Sequence, residues 1–282
     1  MAVVYENMKD KKRIVIKIGS SSLTHPENGT LDLRKMEKLV RVVTELRHLG
    51  KDVVIVSSGA IAVGIRTCGL SQKPKEVSKK QALAAIGQGR LMMTYERLFS
   101  EYNQMTAQVL MTKDTIINHL SRRNAMNTFE ELLNMGVIPI VNENDTVSTY
   151  EIEFGDNDSL SAIVASLIHA DLLILLTDQD GVYTDDPNKN PDAKMLTLVP
   201  TITEEILEMA KDSSSSKVGT GGMSAKLAAA RIATDSGCDM VVANSRDVGV
   251  IFKIVDGEQR GTLFLAHDNT DFDLYEYLSS QQ

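Results

Sequence analysis

Short runs of branched aliphatic residues alternate along this chain with longer stretches in which apolar residues recur every three or four positions. The first run, at residues 13–18, precedes apolar residues at helical spacing, namely Leu33, Met36, Val40, Val43 and Leu46. The pattern predicts further strands at residues 53–56, 107–111, 137–141, 172–176 and 240–243. It predicts further helices at 81–99, 122–135, 159–169 and 223–236. This alternation predicts an α/β fold with a mainly parallel central sheet and helices on both faces.

Length and charge limit the number of domains and the classes of partner. A chain of 282 residues with 43% hydrophobic content can bury one large core, so we expect one domain or two lobes of one domain. The formal net charge of −8 argues against nucleic acid or an anionic membrane as the main partner, because both require a broad basic surface. A small anionic ligand stays possible where a few cations are placed locally.

The cysteines and the N-terminal segment indicate the compartment. Cys68 and Cys238 form no CxxC motif and are too few for a disulfide framework, which favours the reducing cytoplasm. We find no signal peptide and no apolar segment long enough to span a membrane. The five histidines show no metal-ligand spacing, so no metal site built from protein side chains is predicted.

A polar cluster follows directly on the apolar run at 137–141. It consists of Asn142, Glu143, Asn144 and Asp145. In open α/β sheets ligands bind at the carboxyl ends of the strands, so the cluster favours a ligand site over a polar surface loop.

Other predicted strands end in small polar residues as well. The first strand carries Lys17 and runs into Gly19, Ser20 and Ser21, the second ends in Ser57, Ser58 and Gly59, and a later one in Thr177 and Asp178. Glycine lets a backbone approach a ligand, and the amides of a strand-to-helix turn bind anions. These strand ends are expected to share one edge of the sheet.

The segment at 211–222 is rich in serine and glycine and precedes a predicted helix that contains Lys226. It suits either an interdomain linker or an anion-binding turn. Lys17 and Lys226 are candidate cations for a polyphosphate, although Lys17 also suits the solvated face of an edge strand and Lys226 ordinary surface charge. Asp156 and Asp158 could serve only as helix caps. The chain has neither a Walker A motif nor GxGxxG, which counts against a P-loop or dinucleotide fold.

Six motifs in a fixed order resemble the amino acid kinase family over about residues 13–264: IVIKIGSSSLT, IVSSGAIAVG, PIVNENDTVS, FGDNDSLSA, LLTDQDGVYTDDP and GTGGMSAK. The resemblance implies a three-layer αβα sandwich. It also implies ATP, Mg²⁺ and transfer of the γ-phosphoryl group to the side-chain carboxylate of L-glutamate, the first step of proline biosynthesis. Proline as a feedback inhibitor and a homo-oligomer are further expectations.

The resemblance also assigns the domain layout. Residues 1–265 would form the kinase domain, with the substrate bound by its N-terminal part and ATP by its C-terminal part. Residues 266–282 would be a short tail, and no RNA-binding-like PUA domain is expected.

The resemblance implies roles for individual residues. Lys17 and Lys226 would contact the transferring phosphoryl group, and Asp158 would orient both lysines. Glutamate would be held by Ser58, Gly59, Asn142, Asp145 and Asn157. ATP would be bound by Lys17, Gly19, Ser20, Thr177, Asp178, Thr220, Gly221, Gly222, Met223, Ser224, Ala225 and Lys226.

Three other functions stay open on the residues alone. A sibling kinase for acetylglutamate, aspartate or a nucleoside monophosphate would differ in the strand-end cluster, where the acidic Asp145 suits an α-ammonium better than an acylated amine. A non-catalytic nucleotide sensor is disfavoured by the presence of both lysines with Asp158. A nicotinamide oxidoreductase lacks its glycine fingerprint here.

Overall fold

A computed structural model describes residues 5–25, 27–147, 157–187, 189–212 and 222–267, together with residues 272, 274 and 276. The strands are β1 (Arg13–Ile18), β2 (Asp52–Ser57), β3 (Thr106–Met111), β4 (Ile138–Glu143), β5 (Leu172–Thr177), β6 (Val182–Tyr183), β7 (Met195–Leu196), β8 (Leu198–Val199), β9 (Asp239–Asn244) and β10 (Thr262–Phe264). The α-helices are α1 (Ser20–Leu23), α2 (Leu33–His48), α3 (Ala60–Thr67), α4 (Val77–Ser100), α5 (Lys113–Ile117), α6 (His119–Asn134), α7 (Asn157–Leu167), α8 (Glu204–Asp212), α9 (Met223–Asp235) and α10 (Val250–Val255). A short 3₁₀ helix spans Asn7–Asp10.

Eight of these strands form one sheet in the order β3-β4-β2-β1-β5-β9-β10-β8. The pairs from β3 to β9 are parallel, and β10 runs antiparallel to β9. The prediction of a mainly parallel α/β sheet is therefore confirmed. Because β1 lies between β2 and β5, the alternative that Lys17 stands on an edge strand is wrong.

Each central strand is buried on both faces, which explains why its sequence is almost continuously apolar. In β1, Val15 packs into one hydrophobic cluster while Ile14 and Ile16 pack into another, as the twofold alternation of a strand requires. The first cluster includes buried residues of α6, α7 and α9, and the second includes residues of α2, α4 and α10. The layers are therefore helix, sheet and helix, as the family resemblance implied.

The predicted elements agree with the observed ones to within a few residues, but the sequence did not predict the short elements α1, α5, α8, α10, β6, β7 and β8. Three further differences are informative. Strand β4 continues through Asn142 and Glu143, two residues beyond its predicted end. Helix α3 was not predicted, because its eight residues are too few to show a helical period against the apolar strand before it. The antiparallel β10 was also missed, since three residues carry little pattern.

Helices α3 and α4 contact each other through their backbones. A Cβ atom built on Gly64 of α3 would lie 2.0 Å from the carbonyl oxygen of Leu83, and one on Gly87 of α4 would lie 1.7 Å from that of Ala60. Only glycine fits at either position. The contact fixes the first residue of α3 and, with it, the turn that follows β2.

Part of the tail at 266–282 is described. The side chain of Leu274 packs against the first hydrophobic cluster. The division into a kinase domain ending at residue 265 and a separate tail stays a prediction. Among the described helices, none is both long enough and apolar enough to cross a membrane.

Candidate active site

A cleft of about 580 Å³ opens where β1, β2, β4 and β5 reach their carboxyl ends. The structure brings together there most of the residues singled out from the sequence: Lys17, Gly19, Ser20, Ser58, Gly59, Asn142, Asp145, Asn157, Asp158, Thr177, Asp178 and Lys226. They share one edge because parallel strands end on the same side of a sheet. Their individual roles stay predictions.

A buried charge cluster forms the floor of the cleft. Asp158 lies in the first turn of α7 with its side chain only 1% exposed, and its Oδ1 forms an ion pair with Lys17 Nζ. Its Oδ2 lies 3.4 Å from Lys226 Nζ. Both lysine side chains are largely buried as well. Two ammonium groups thus share one carboxylate, and the positive charge in excess suits an anionic ligand.

Lys226 reaches this cluster from the start of α9. Gly222 is the N-cap of the helix, and its carbonyl accepts a hydrogen bond from the amide of Lys226, one turn further along. Lys226 is 6% exposed, so its interpretation as ordinary surface charge is wrong. The unpaired amides and the dipole at this helix end add to the attraction for phosphate.

The other predicted ATP-binding residues near this helix are placed differently. Met223, Ser224 and Ala225 form the first turn of α9, and the Met223 side chain packs against the hydrophobic core. Thr220 and Gly221 lie outside the described residues, as does Asp156. Most of the segment 211–222 is therefore not described. Gly222, the N-cap of α9, is the described residue that bears on whether the segment is a linker or an anion-binding turn.

Beside the charge cluster, a chain of uncharged hydrogen-bonding groups runs along the cleft. Asn157 Nδ2 donates to Ser58 Oγ at 2.6 Å and to Asn142 Oδ1 at 2.9 Å. Asn142 Nδ2 in turn donates to Gln88 Oε1 at 3.0 Å. These four residues, Ser58, Asn142, Asn157 and Gln88, are called the amide chain below. Gln88 was missed in the sequence, because one glutamine on a long helix carries no distinguishing signal.

The turn after β2 contains a glycine in a left-handed conformation and follows a strand end that is fixed by a buried hydrogen bond. Gly59 has φ of +111°, a conformation that side chains with a Cβ rarely adopt. The hydroxyls of Ser57 and Tyr95 are 2.9 Å apart inside the protein. Burial raises the pKa of the Tyr95 phenol above its ordinary value, so this contact is uncharged near neutral pH. Ser58 and Gly59 are thereby presented to the cleft from a fixed strand end.

Two carboxylates and one further cation also line the cleft. Glu143 and Asp145 come from the end of β4 and the turn after it, and Lys73 comes from the segment between α3 and α4. Lys73 was not proposed from the sequence, because residues 68–76 show neither periodicity nor a motif. The acidic pair gives this side of the cleft an affinity for positive groups.

A third group of contacts lies at the end of β5, around Thr177 and Asp178, which are predicted to bind ATP. Thr177 Oγ1 donates to Asp178 Oδ1 at 3.0 Å. Asn244, the last residue of β9, donates from Nδ2 to the Asp178 carbonyl at 3.2 Å and to Asp180 Oδ1 at 2.7 Å. These bonds fix the Thr177–Asp178 turn relative to the sheet.

Solved structures with this fold resemble the chain throughout its length. A UMP kinase from Bacillus anthracis superposes with a TM-score of 0.60 at 19% identity and covers 90% of this chain and 96% of its own. An isopentenyl phosphate kinase from T. acidophilum gives 0.62 at 18% identity, covering 90% of this chain and 100% of its own. At such identities the likeness supports the fold alone.

Sequence relatives are much closer. The glutamate 5-kinase of Clostridium perfringens is 50% identical over 263 residues, which are 92% of this chain and 97% of that protein. The glutamate 5-kinase of Carboxydothermus hydrogenoformans is 52% identical over 259 residues, which are 92% of this chain and 69% of that protein. The model of the amino acid kinase family matches residues 12–244, well over half of the chain. This chain therefore belongs to the amino acid kinase family.

Proposed function

We propose that this chain transfers the γ-phosphoryl group of ATP to the side-chain carboxylate of L-glutamate, the first step of proline biosynthesis. Relatives about 50% identical over more than nine tenths of the chain carry the name glutamate 5-kinase. The observation that carries the proposal is the composition of the cleft. A buried cluster of two lysines and one aspartate faces a side built from amides and carboxylates.

The chemistry requires little more than these groups. The γ-carboxylate of glutamate is ionised at neutral pH, so no general base has to activate it. The protein has to hold two anions in line and to stabilise the charge on the moving phosphoryl group. Lys17 would do so from the acceptor side and Lys226 from the nucleotide side. Asp158, which contacts both, would keep the two ammonium groups at a fixed separation.

The acceptor side fits an amino acid with an unmodified α-amino group. Asp145 supplies a carboxylate for the α-ammonium, and Ser58, Asn142 and Asn157 supply oriented polar atoms. An acylated amine has no positive charge and would gain no electrostatic attraction from Asp145. Glutamate therefore fits the cleft better than acetylglutamate.

The nucleotide side fits ATP with its magnesium ion. Gly19, Ser20 and the start of α9 offer backbone amides to phosphate, and Thr177 and Asp178 line the same end of the cleft. Mg²⁺ at such sites is held mainly by phosphate oxygens and water, with one or two protein carboxylates. Among the described residues, Asp178 is the carboxylate that lines this end of the cleft beside Thr177. The ion would neutralise charge on the phosphates during transfer.

A homo-oligomeric state and inhibition by proline complete the proposal as expectations, together with the cytoplasmic location that the cysteine content favours. The acidic overall charge fits the expected absence of a nucleic-acid partner.

The direct test is an assay of ADP release with ATP, Mg²⁺ and a panel of acceptors: L-glutamate, N-acetyl-L-glutamate, L-aspartate and UMP. An acyl phosphate product is trapped by hydroxylamine as a hydroxamate, which distinguishes phosphorylation of a carboxylate from simple ATP hydrolysis. We expect glutamate-dependent ADP release and a matching yield of hydroxamate. Preferential turnover of another acceptor would assign the chain to a sibling kinase. Nucleotide binding with no turnover of any acceptor would indicate a sensor.

A further inference from the structure

Gln88 lies behind the acceptor side of the cleft. Its side chain is buried, with 8% of the residue exposed, and it does not line the cleft itself. The residue before it, Gly87, sits against the backbone of Ala60 at the start of α3. Because that contact leaves no space for adjustment, Gln88 is held at a fixed position relative to the turn that carries Ser58 and Gly59.

The direction of each hydrogen bond in the amide chain follows from the one before it. Gln88 Oε1 accepts from Asn142 Nδ2, so Asn142 turns its Oδ1 toward Asn157. Asn157 Nδ2 donates to this Asn142 Oδ1 and also to Ser58 Oγ. A primary amide nitrogen carries two hydrogens, and both are then engaged. The atom that Asn157 can offer to a ligand is its carbonyl oxygen, Oδ1.

We infer that Gln88 is a positioning residue that makes Asn157 present an acceptor oxygen to the substrate, and that it thereby selects acceptors with a free α-ammonium group. The inference rests on the proposed glutamate kinase function and deepens it. Gln88 itself touches neither substrate nor nucleotide. It acts through Asn142. Without the Gln88 oxygen, the Asn142 side-chain amide could rotate by 180° and exchange the positions of its oxygen and nitrogen.

The chemistry of the two amide orientations differs sharply for a positive ligand. With Oδ1 facing the cleft, Asn157 and the carboxylate of Asp145 offer acceptors to a group that only donates. With the amide reversed, N–H groups would face an ammonium that has no lone pair to offer, and the buried donors would stay unsatisfied. An uncharged or anionic group at this position gains much less from the acceptor orientation.

The test compares two substitutions of similar size. Gln88→Met removes the acceptor, and we expect it to raise KM for glutamate roughly tenfold, the effect of about one lost hydrogen bond. KM for ATP should stay within about twofold, because the hydrogen bonds that Gln88 orients run through Asn142 to Asn157 and Ser58 and not to Thr177, Asp178 or Lys226 among the described residues. Gln88→Glu keeps an oxygen that accepts from Asn142, so KM for glutamate should return to within about threefold of the original value. Gln259→Met, an exposed glutamine in the loop before β10, serves as the matched control.

A second measurement isolates the ammonium. Glutarate is glutamate without its α-amino group, and its binding is measured as competition with glutamate. Gln88→Met should weaken glutarate binding by less than about twofold while it weakens glutamate roughly tenfold, since coupling is confined to groups that share partners. Thermal unfolding of each variant separates these effects from a loss of stability.

The outcomes distinguish this inference from the proposed function. If the unsubstituted chain does not turn over glutamate, the proposed function fails before any variant is made. If it does and Gln88→Met leaves KM for glutamate unchanged, the inference is overturned. Equal weakening of glutamate and glutarate, or a Gln88→Glu variant as impaired as Gln88→Met, also overturns it, since either result assigns Gln88 a packing role.

Discussion

Two parts of the cleft hold their polar groups in opposite ways. In the charge cluster at the floor of the cleft, Lys17 and Lys226 share the buried carboxylate of Asp158. On the acceptor side, neutral amides and hydroxyls form a chain that continues into the interior at Gln88. Charges that are fixed and partly dehydrated stabilise charge that develops during a reaction, whereas oriented neutral groups distinguish one ground-state ligand from another. On the proposed function, the charge cluster would serve catalysis and the amide chain would serve recognition of the substrate.

This comparison predicts different kinetic signatures for the two sides. Substitutions in the charged cluster should lower kcat, because the lysines act on charge in the transition state. Substitutions in the amide chain or at Asp145 should raise KM for glutamate. A lysine variant that raises only KM, or an amide-chain variant that lowers only kcat, would contradict the assignment of that residue.

The largest effect is expected at the lysines. Lys226→Ala or Lys17→Ala should lower kcat by roughly 100-fold or more, the range for loss of one electrostatic donor. KM for glutamate should change much less. Each substitution also leaves Asp158 with one partner, so circular dichroism and thermal unfolding must accompany the kinetics.

Lys253→Ala, at an exposed lysine of α10, is the control for the lysine variants. A folded Lys226→Ala protein with near-normal kcat would remove Lys226 from the phosphoryl-transfer machinery.

The charge cluster and the acceptor side also differ in how many of their residues could be predicted from the sequence. The charged side was predictable, because Lys17, Asp158 and Lys226 stand in motifs at strand or helix ends, where topology brings them to one edge. The acceptor side was predictable only for residues at strand ends, such as Ser58 and Asn142. Gln88 could not be found, since its contact with Asn142 joins positions 54 residues apart and depends on how α4 packs. That packing is decided by Gly64 and Gly87, whose spacing shows no pattern along the chain.

The next effect concerns the backbone contact that supports the acceptor side. Gly87→Ala should lower the free energy of unfolding by at least about 2 kcal/mol, because the new methyl group overlaps the Ala60 carbonyl oxygen. Gly89→Ala is a closely matched control on the same helix, since a Cβ there meets nothing within 4 Å. It should be neutral or stabilise by up to about 1 kcal/mol, because alanine favours a helix more than glycine does. Chemical denaturation measures both, and equal stabilities would contradict the contact.

Asp145 tests the acceptor side through its charge. Asp145→Ala should raise KM for glutamate roughly tenfold or more and leave KM for ATP nearly unchanged, because the substrate ammonium loses its counter-charge. Glu131→Ala, at an exposed acid on α6, controls for the change in net charge. Equal increases in both KM values, or an effect on ATP alone, would place Asp145 on the nucleotide side.

The smallest effect concerns the two cysteines, which differ in exposure. Cys68 caps the C-terminal end of α3 and is exposed, whereas Cys238 immediately precedes β9 and is buried. Burial, with the neighbouring Asp239 carboxylate, raises the pKa of the Cys238 thiol above its ordinary value, so little reactive thiolate forms near neutral pH. A thiol reagent should therefore modify one cysteine rapidly in the folded chain and the second only after unfolding, and Cys68→Ser should abolish the rapid phase.

The modified protein then tests how well the two sides are separated. An adduct on Cys68 stands next to the segment that carries Lys73, so any change should be a few-fold rise in KM for glutamate, with KM for ATP unaltered. Rapid reaction of both cysteines in the folded chain would show that the sheet opens near β9. Helix α9, which ends shortly before Cys238 and carries Lys226, would then be mobile, in contradiction to a charge cluster that works by fixed geometry.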